Sequence, residues 1–290
     1  MRTKKAPSVF ILLIITAVCT LVASLLFVVI THSGTGAAQT RLVTIVQDVL
    51  MFIAPAVAFA ALGGRKPMSF LRLNKFPSLL SLLLAILTLL AGMPLMEAIT
   101  TWNNSLTLPE SMASIEEAMR AAEEQAETAV VALMGEHTVG NLILAILVIA
   151  ILAGISEEIW FRGAFQQSVF KRHPHLAIWT TAVVFSAIHL QFFGFFPRLL
   201  LGGLLGYLFL WTGSLWTPII VHSLNNSIVV FLLWSNHTES VFSSNATEYP
   251  PVLYIICSAI AIIVIPYFLI KVSKKDKADL LTASPKEEIS

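Results

Sequence analysis

Apolar runs of roughly helix-spanning length recur along this chain, separated by short polar or charged segments. They cover about Pro7 to Ile30, Leu42 to Leu62, Ser78 to Ile99, Val139 to Phe161, Leu176 to Phe196, Leu199 to Trp211, Pro218 to Trp234 and Val252 to Ile270. A helix needs about 20 apolar residues to cross the hydrocarbon core of a bilayer. The pattern therefore predicts an all-α polytopic membrane bundle of about eight transmembrane helices. The first run, preceded by Arg2, Lys4 and Lys5, is longer than the apolar region of a signal peptide, and the THSGTG after it poorly matches a small-residue cleavage site. It reads as a retained span. Between the third and fourth runs, Met112, Ile115, Met119, Ala122 and Ala126 recur at helical spacing among seven glutamates, predicting an acidic amphipathic helix that covers the outer face.

Charge placement sets the orientation. With the N-terminus inside, the inner segments hold Arg2, Lys4, Lys5, Arg65, Lys66, Arg72, Lys75, Lys171, Arg172, Lys271, Lys274, Lys275, Lys277 and Lys286, out of 18 Lys and Arg in all. Arg41, Arg120 and Arg198 fall outside, and Arg162 lies at the end of a span. This asymmetry places both termini in the cytoplasm. Residues 1–138 then form three helices with the outer amphipathic helix, 139–270 a core of five more, and 271–290 a charged, disordered cytoplasmic tail. Asn103, Asn236 and Asn245 head Asn-x-Ser/Thr sequons in the expected outer loops.

Composition agrees and removes some functions. At 57% hydrophobic, 12% charged and a mean hydropathy of +0.82, the chain is unlike a soluble enzyme, in which about 25% of residues are charged. A net charge of +1 gives no basic face for nucleic acid. Cys19 and Cys257 both sit in apolar runs, as small buried hydrophobes rather than a disulfide framework.

Ionisable groups inside a span cost about 2.5 to 3.5 kcal/mol each on insertion scales, so they mark function or pairing. Glu158 and Arg162 are four apart, facing each other with the acid first, the better order for a helical pair. This pair has a structural reading, neutralising and orienting its helix. Glu157 points about 100° away and has no local partner. His189 ends the motif Phe185-Ser186-Ala187-Ile188-His189, and His222 and Asn226 share one face of the seventh span. Taken singly, His189 is as readily a hydrogen-bonded histidine of the bundle, and Asn226 an interhelical bond. Gln47, Asp48, Pro94 and Glu97 are read as packing or interfacial residues. Together, an unpaired carboxylate, two imidazoles and an amide on three helices can polarise a water and donate to an oxyanion.

The order EExxxR, FxxxH, HxxxN over about Ala145 to Trp234, with the stretch GGLLGYLFLWTGSLWTPIIVHSLNN, resembles the CPBP intramembrane proteases. That family includes the eukaryotic CAAX prenyl endopeptidase and bacterial Abi and lysostaphin-resistance-like proteins, the last being the branch this stretch is most similar to. The resemblance implies an endopeptidase acting on a membrane-embedded or lipid-anchored peptide, in a bacterial cytoplasmic membrane, with its site open to the cytoplasm; the polar end of the fourth helix offers water a path past Arg162, Gln166 and Gln167. It implies that Glu157 and His189 activate water, that His222 and Asn226 hold the oxyanion, and that Glu158 with Arg162 supports the first core helix. A zinc ion on Glu157, His189 and His222 would satisfy a catalytic ligand count. The rival classes are a non-catalytic immunity or scaffold protein, and a proton-coupled transporter using the same Glu and His as a relay.

Overall fold

A computed structural model describes residues 8–32, 36–64, 66–235 and 249–283. The described residues form helices without strands. The longer ones are α1 (Val9–His32), α2 (Ala37–Leu62), α3 (Leu79–Asn104), α4 (Ala113–Met134), α5 (Val139–Gln166), α6 (Pro174–Ala187), α7 (Phe195–Thr212), α8 (Trp216–Ser235) and α9 (Val252–Ala283), beside single turns at Pro67–Phe70 and Glu110–Met112. Among the described residues seven of these are long and apolar enough to cross a membrane. The eighth expected span is α6, which has 14 residues and reaches only about 21 Å.

The helices begin and end where local chemistry allows. The hydroxyls of Ser78 and Thr138 accept the Ser81 and Asn141 amides at 3.2 Å, capping α3 and α5. Gly213, at φ +71°, ends α7 in the left-handed conformation that lacks a Cβ penalty only for glycine. The sequence reading carried the fifth run on to Phe196 because Leu190, Phe192 and Phe193 are apolar. Instead Leu190 takes φ +55°, and the Ser186 hydroxyl donates to the Phe195 carbonyl at 2.7 Å, tying the end of α6 to the start of α7. Asn103, expected in an outer loop, is fully buried at the end of α3. Its amide donates to the Phe192 carbonyl at 3.3 Å and accepts from the Phe196 amide at 3.1 Å, so it holds this turn and is not an open sequon. The other two sequons lie outside the described residues.

The bundle carries its ionisable groups inside, among a mostly apolar core, and turns large apolar side chains outward. Phe10, Leu79, Val252 and Ile263 are strongly exposed, while Glu158, Arg162, Ser156, Thr217 and His222 are buried. That arrangement suits lipid as the surrounding solvent, and the chain is a multi-pass integral membrane protein. Cys257 belongs to the exposed apolar surface, contrary to the buried role expected for it, and Cys19 is half-buried; both are free.

Antiparallel α6 and α7 form one hairpin, α8 packs along α5, α2 lies between α1 and α5, and α9 runs along α3. The helix α9 also corrects the expectation of a disordered tail from Lys271, since it continues to Ala283. Asp276 accepts from the Ser78 and Ser81 hydroxyls at 2.6 and 3.0 Å, which anchors this extension to α3; residues 284–290 lie outside the described residues.

The acidic helix is present as α4, but its inward face differs from the one expected. Met119, Ala122 and Ala126 are half-buried as expected, but Met112 and Ile115 are exposed, and Glu116, Glu123 and Glu127 share the half-buried face. Glu116 turns inward because it accepts the Leu108 amide at 2.7 Å and pairs with Arg120 at 2.7 Å. Burial pushes the Glu123 carboxyl above its ordinary range, opposed by the charge of Arg198. Arg41 on α2 donates to the carbonyls of Leu133 and Met134 at 2.8 and 2.7 Å, satisfying the C-terminal end of α4.

Candidate active site

Close approach of α8 to α5 creates the site. At Gly154 an added Cβ would lie 2.4 Å from Ser223 Oγ and 3.0 Å from the Ser223 backbone nitrogen, so only glycine lets the helices meet here. Gly154→Ala is expected to force α8 outward and to lower stability by about 1 to 3 kcal/mol. Thermal unfolding in detergent reads this, and replacing Ser223 with alanine should recover only part because the backbone contact remains.

One turn further along, α5 presents Glu157 and Glu158, and its last eight residues, Ile159–Gln166, are π-helical. Such wide turns recur at functional sites. Glu158 and Arg162 are both fully inaccessible, with Arg162 Nη1 2.5 Å from Glu158 Oε1. Arg162 Nη2 donates to the Gly202 carbonyl at 2.9 Å and Gln166 Nε2 to the Gly206 carbonyl at 3.3 Å. Gly202 packs directly on Ala182 and Phe185, so α7 offers its carbonyls across a surface with no side chain in the way. Gln166 is buried, contrary to the wet helix end expected, and the route past Arg162 and Gln166 is filled by hydrogen-bonded groups.

His222 on α8 reaches both glutamates. Its Nδ1 lies 2.9 Å from Glu158 Oε1 and its Nε2 lies 3.9 Å from Glu157 Oε2. A carboxylate only accepts, so Nδ1 is the donor to Glu158, and Nε2 carries a proton only when the ring is cationic. Glu158 Oε1 thus takes bonds from both Arg162 and His222, while its buried Oε2 has no partner among the described residues.

His189 lies just beyond α6. Its Nδ1 is 2.8 Å from the Phe185 carbonyl, which requires the proton on Nδ1 and leaves Nε2 with a bare lone pair able to accept from water. No hydrogen bond joins His189 to Glu157. His189 and His222 share Phe185, whose ring packs edge-on to both at centroid distances of 5.3 and 5.7 Å, with the Arg162 guanidinium 4.8 Å from its centroid. Asn226 sits one turn past His222, its Oδ1 accepting from Asn225 at 3.3 Å and its amide nitrogen free of partners among the described residues.

Two further groups interact with this cluster that the sequence reading assigned elsewhere. Asp48, on α2 just before the π-helical Val49–Ile53, is buried and electrostatically coupled to Glu157. Arg198 on α7 interacts with Glu157 and also with His189. Neither is marked by local spacing, since both come from other helices.

A zinc site would need its donors to converge at about 2.0 to 2.2 Å. Among the described residues no group of three or more His, Cys, Asp or Glu side chains is arranged to hold a metal ion; of the three expected ligands, Glu157 and His222 approach each other at 3.9 Å.

The segment that carries these groups has known relatives. Residues 139–228 match the type II CAAX prenyl endopeptidase Rce1-like family. The uncharacterized protein YpbD of Bacillus subtilis (strain 168) is similar to this chain, 28% identical over 98 residues, or 32% of this chain and 48% of the relative. The match thus spans about half the length of that curated relative. No solved structure matches the chain. The matched residues run from the start of α5 to the middle of α8, and they contain Glu157, Glu158, Arg162, His189, His222 and Asn226.

Proposed function

We propose that this chain is an intramembrane endopeptidase that hydrolyses a peptide bond of a membrane-embedded or lipid-anchored peptide. The observation that carries the reading is the placement of His222 between two glutamates inside an apolar bundle, in the segment matching the Rce1-like family. Of the two glutamates only Glu157 keeps accessible side-chain surface, 15% against none for Glu158, so it is the one that can meet a water.

The chemistry follows from the hydrogen-bond roles. Water is held between the Glu157 carboxylate and the bare Nε2 of His189. Glu157 takes one proton as the oxygen attacks the substrate carbonyl carbon. The tetrahedral oxyanion accepts from the Asn226 amide and from Nε2–H of a cationic His222, whose charge the Glu158 carboxylate balances through Nδ1. Collapse breaks the C–N bond, and the proton on Glu157 passes to the leaving amine. The cation-rich end of the bundle, holding Arg72, Lys75 and Lys171, faces the cytoplasm. His222 is six residues from the start of α8 at that end, about 9 Å, which puts the reaction within the inner half of the bilayer.

Comparing membrane-fraction peptides of cells carrying the wild-type chain with those of cells lacking it would identify a substrate, and reconstituted protein would then give the rates. Asn226→Ala is expected to lower turnover about a hundredfold with little change in substrate binding. Full turnover by this variant would refute the oxyanion assignment, and identical peptide profiles would refute the peptidase.

A further inference from the structure

A cavity of about 540 Å³ opens at the cation-rich end, lined by residues including Ser69, Arg72, Asn74, Lys75, Gln167 and Lys171. No acidic residue lines it. None of the three cations has an ion pair among the described residues, so nothing in the chain offsets their mutual repulsion.

The arrangement is held in place by the backbone. The segment 72–75 is tied to the α7–α8 turn at three points. Leu215 N–H donates to the Arg72 carbonyl at 3.2 Å, Trp216 Nε1 to Leu73 at 2.8 Å, and Ser214 Oγ to Lys75 at 2.5 Å. Arg72 itself is held at φ +57°, a left-handed conformation that costs a non-glycine residue about 1 kcal/mol or more. Its guanidinium lies 5.5 Å from the Phe209 centroid, and its Nε donates to Gln167 Oε1 at 3.1 Å. Gln167 is fixed in turn by donating to the Phe70 carbonyl at 3.0 Å. The two terminal amines of Arg72 are left without partners among the described residues, on a side chain anchored by its Nε. Asp276, on the neighbouring part of α9, already accepts from Ser78 and Ser81.

We propose that this cavity binds a phosphate-bearing anion, with Arg72, Lys75 and Lys171 supplying the charge and Ser69 and Asn74 further donors. Phe76 and Phe170 beside it are exposed apolar rings, which suit the acyl-proximal part of a lipid. The shared chemistry is the phosphate, whether it belongs to an anionic headgroup or is free. The site lies apart from Glu157 and does not depend on the peptidase reading.

The test uses the full chain in neutral detergent, with binding read by native mass spectrometry and thermal unfolding. Three probes are added separately: phosphatidylglycerol, phosphatidylcholine and inorganic phosphate. Wild-type protein is expected to retain phosphatidylglycerol over phosphatidylcholine, and Lys75→Gln with Lys171→Gln to weaken that retention about tenfold or more. Both lysines are exposed, so the variant should fold normally. Protection by inorganic phosphate, lost in the same variant, would support the site and identify its ligand as soluble phosphate. Equal binding by wild type and variant, equal retention of the two lipids without protection by phosphate, or no binding of any probe would overturn it.

Discussion

Glu157→Gln is expected to reduce turnover by about a thousandfold or more while leaving the melting temperature nearly unchanged. The amide fills the same space but cannot take a proton from water. Little stability is at stake, because the nearest ionic partner of this carboxylate, His222 Nε2, is 3.9 Å away and the side chain is partly accessible. Rates on a peptide substrate with reconstituted protein, set beside unfolding in detergent, separate the two effects. Retained turnover would remove Glu157 from the chemistry.

Its neighbour should behave in the opposite sense. Glu158→Gln leaves the Arg162 guanidinium fully buried without its counter-charge and removes the acceptor of His222 Nδ1. Breaking a buried pair from one side costs about 3 to 5 kcal/mol. The expected result is a large drop in melting temperature and in yield of folded protein. Replacing both partners by apolar residues, Glu158→Met with Arg162→Leu, should recover part of that loss, since the guanidinium is no longer stranded while His222 Nδ1 and the Gly202 carbonyl still lose their partners. A single variant as stable as wild type would show that the pair contributes little.

The two glutamates could be told apart in the sequence because Glu158 and Arg162 sit one turn from each other. Local spacing carries that kind of information. It does not carry the bond between His222 and Glu158, which joins residues 64 apart and depends on Gly154 letting α8 come close. The sequence reading therefore put His222 on the oxyanion or on a zinc ion, without a bond to Glu158, whereas the structure places it against both carboxylates. Asp48 and Arg198 escaped for the same reason, each reaching the cluster from a different helix. The number of spans was legible from apolar run length, but the boundary at Ala187 was not, because Leu190, Phe192 and Phe193 hide a turn inside an apolar run. The inward acids of α4 were illegible because hydrophobic spacing assumes that apolar residues turn inward, and here Arg120, Arg198 and the Leu108 amide draw in carboxylates instead.

The first helix has a bearing on how short a working piece of this chain could be. Trp160, two residues after Glu158, donates its indole N–H to Thr16 Oγ1 on α1 at 2.9 Å, and Leu12 is fully buried in the cluster that holds Phe161 and Phe165. The family-matching stretch 139–228 thus borrows a wall of its core from a helix more than a hundred residues upstream. Excising that stretch would expose Trp160 and Phe161 and remove Asp48 with α2. The minimal working unit is therefore set by three-dimensional packing and extends well beyond the segment that sequence similarity marks.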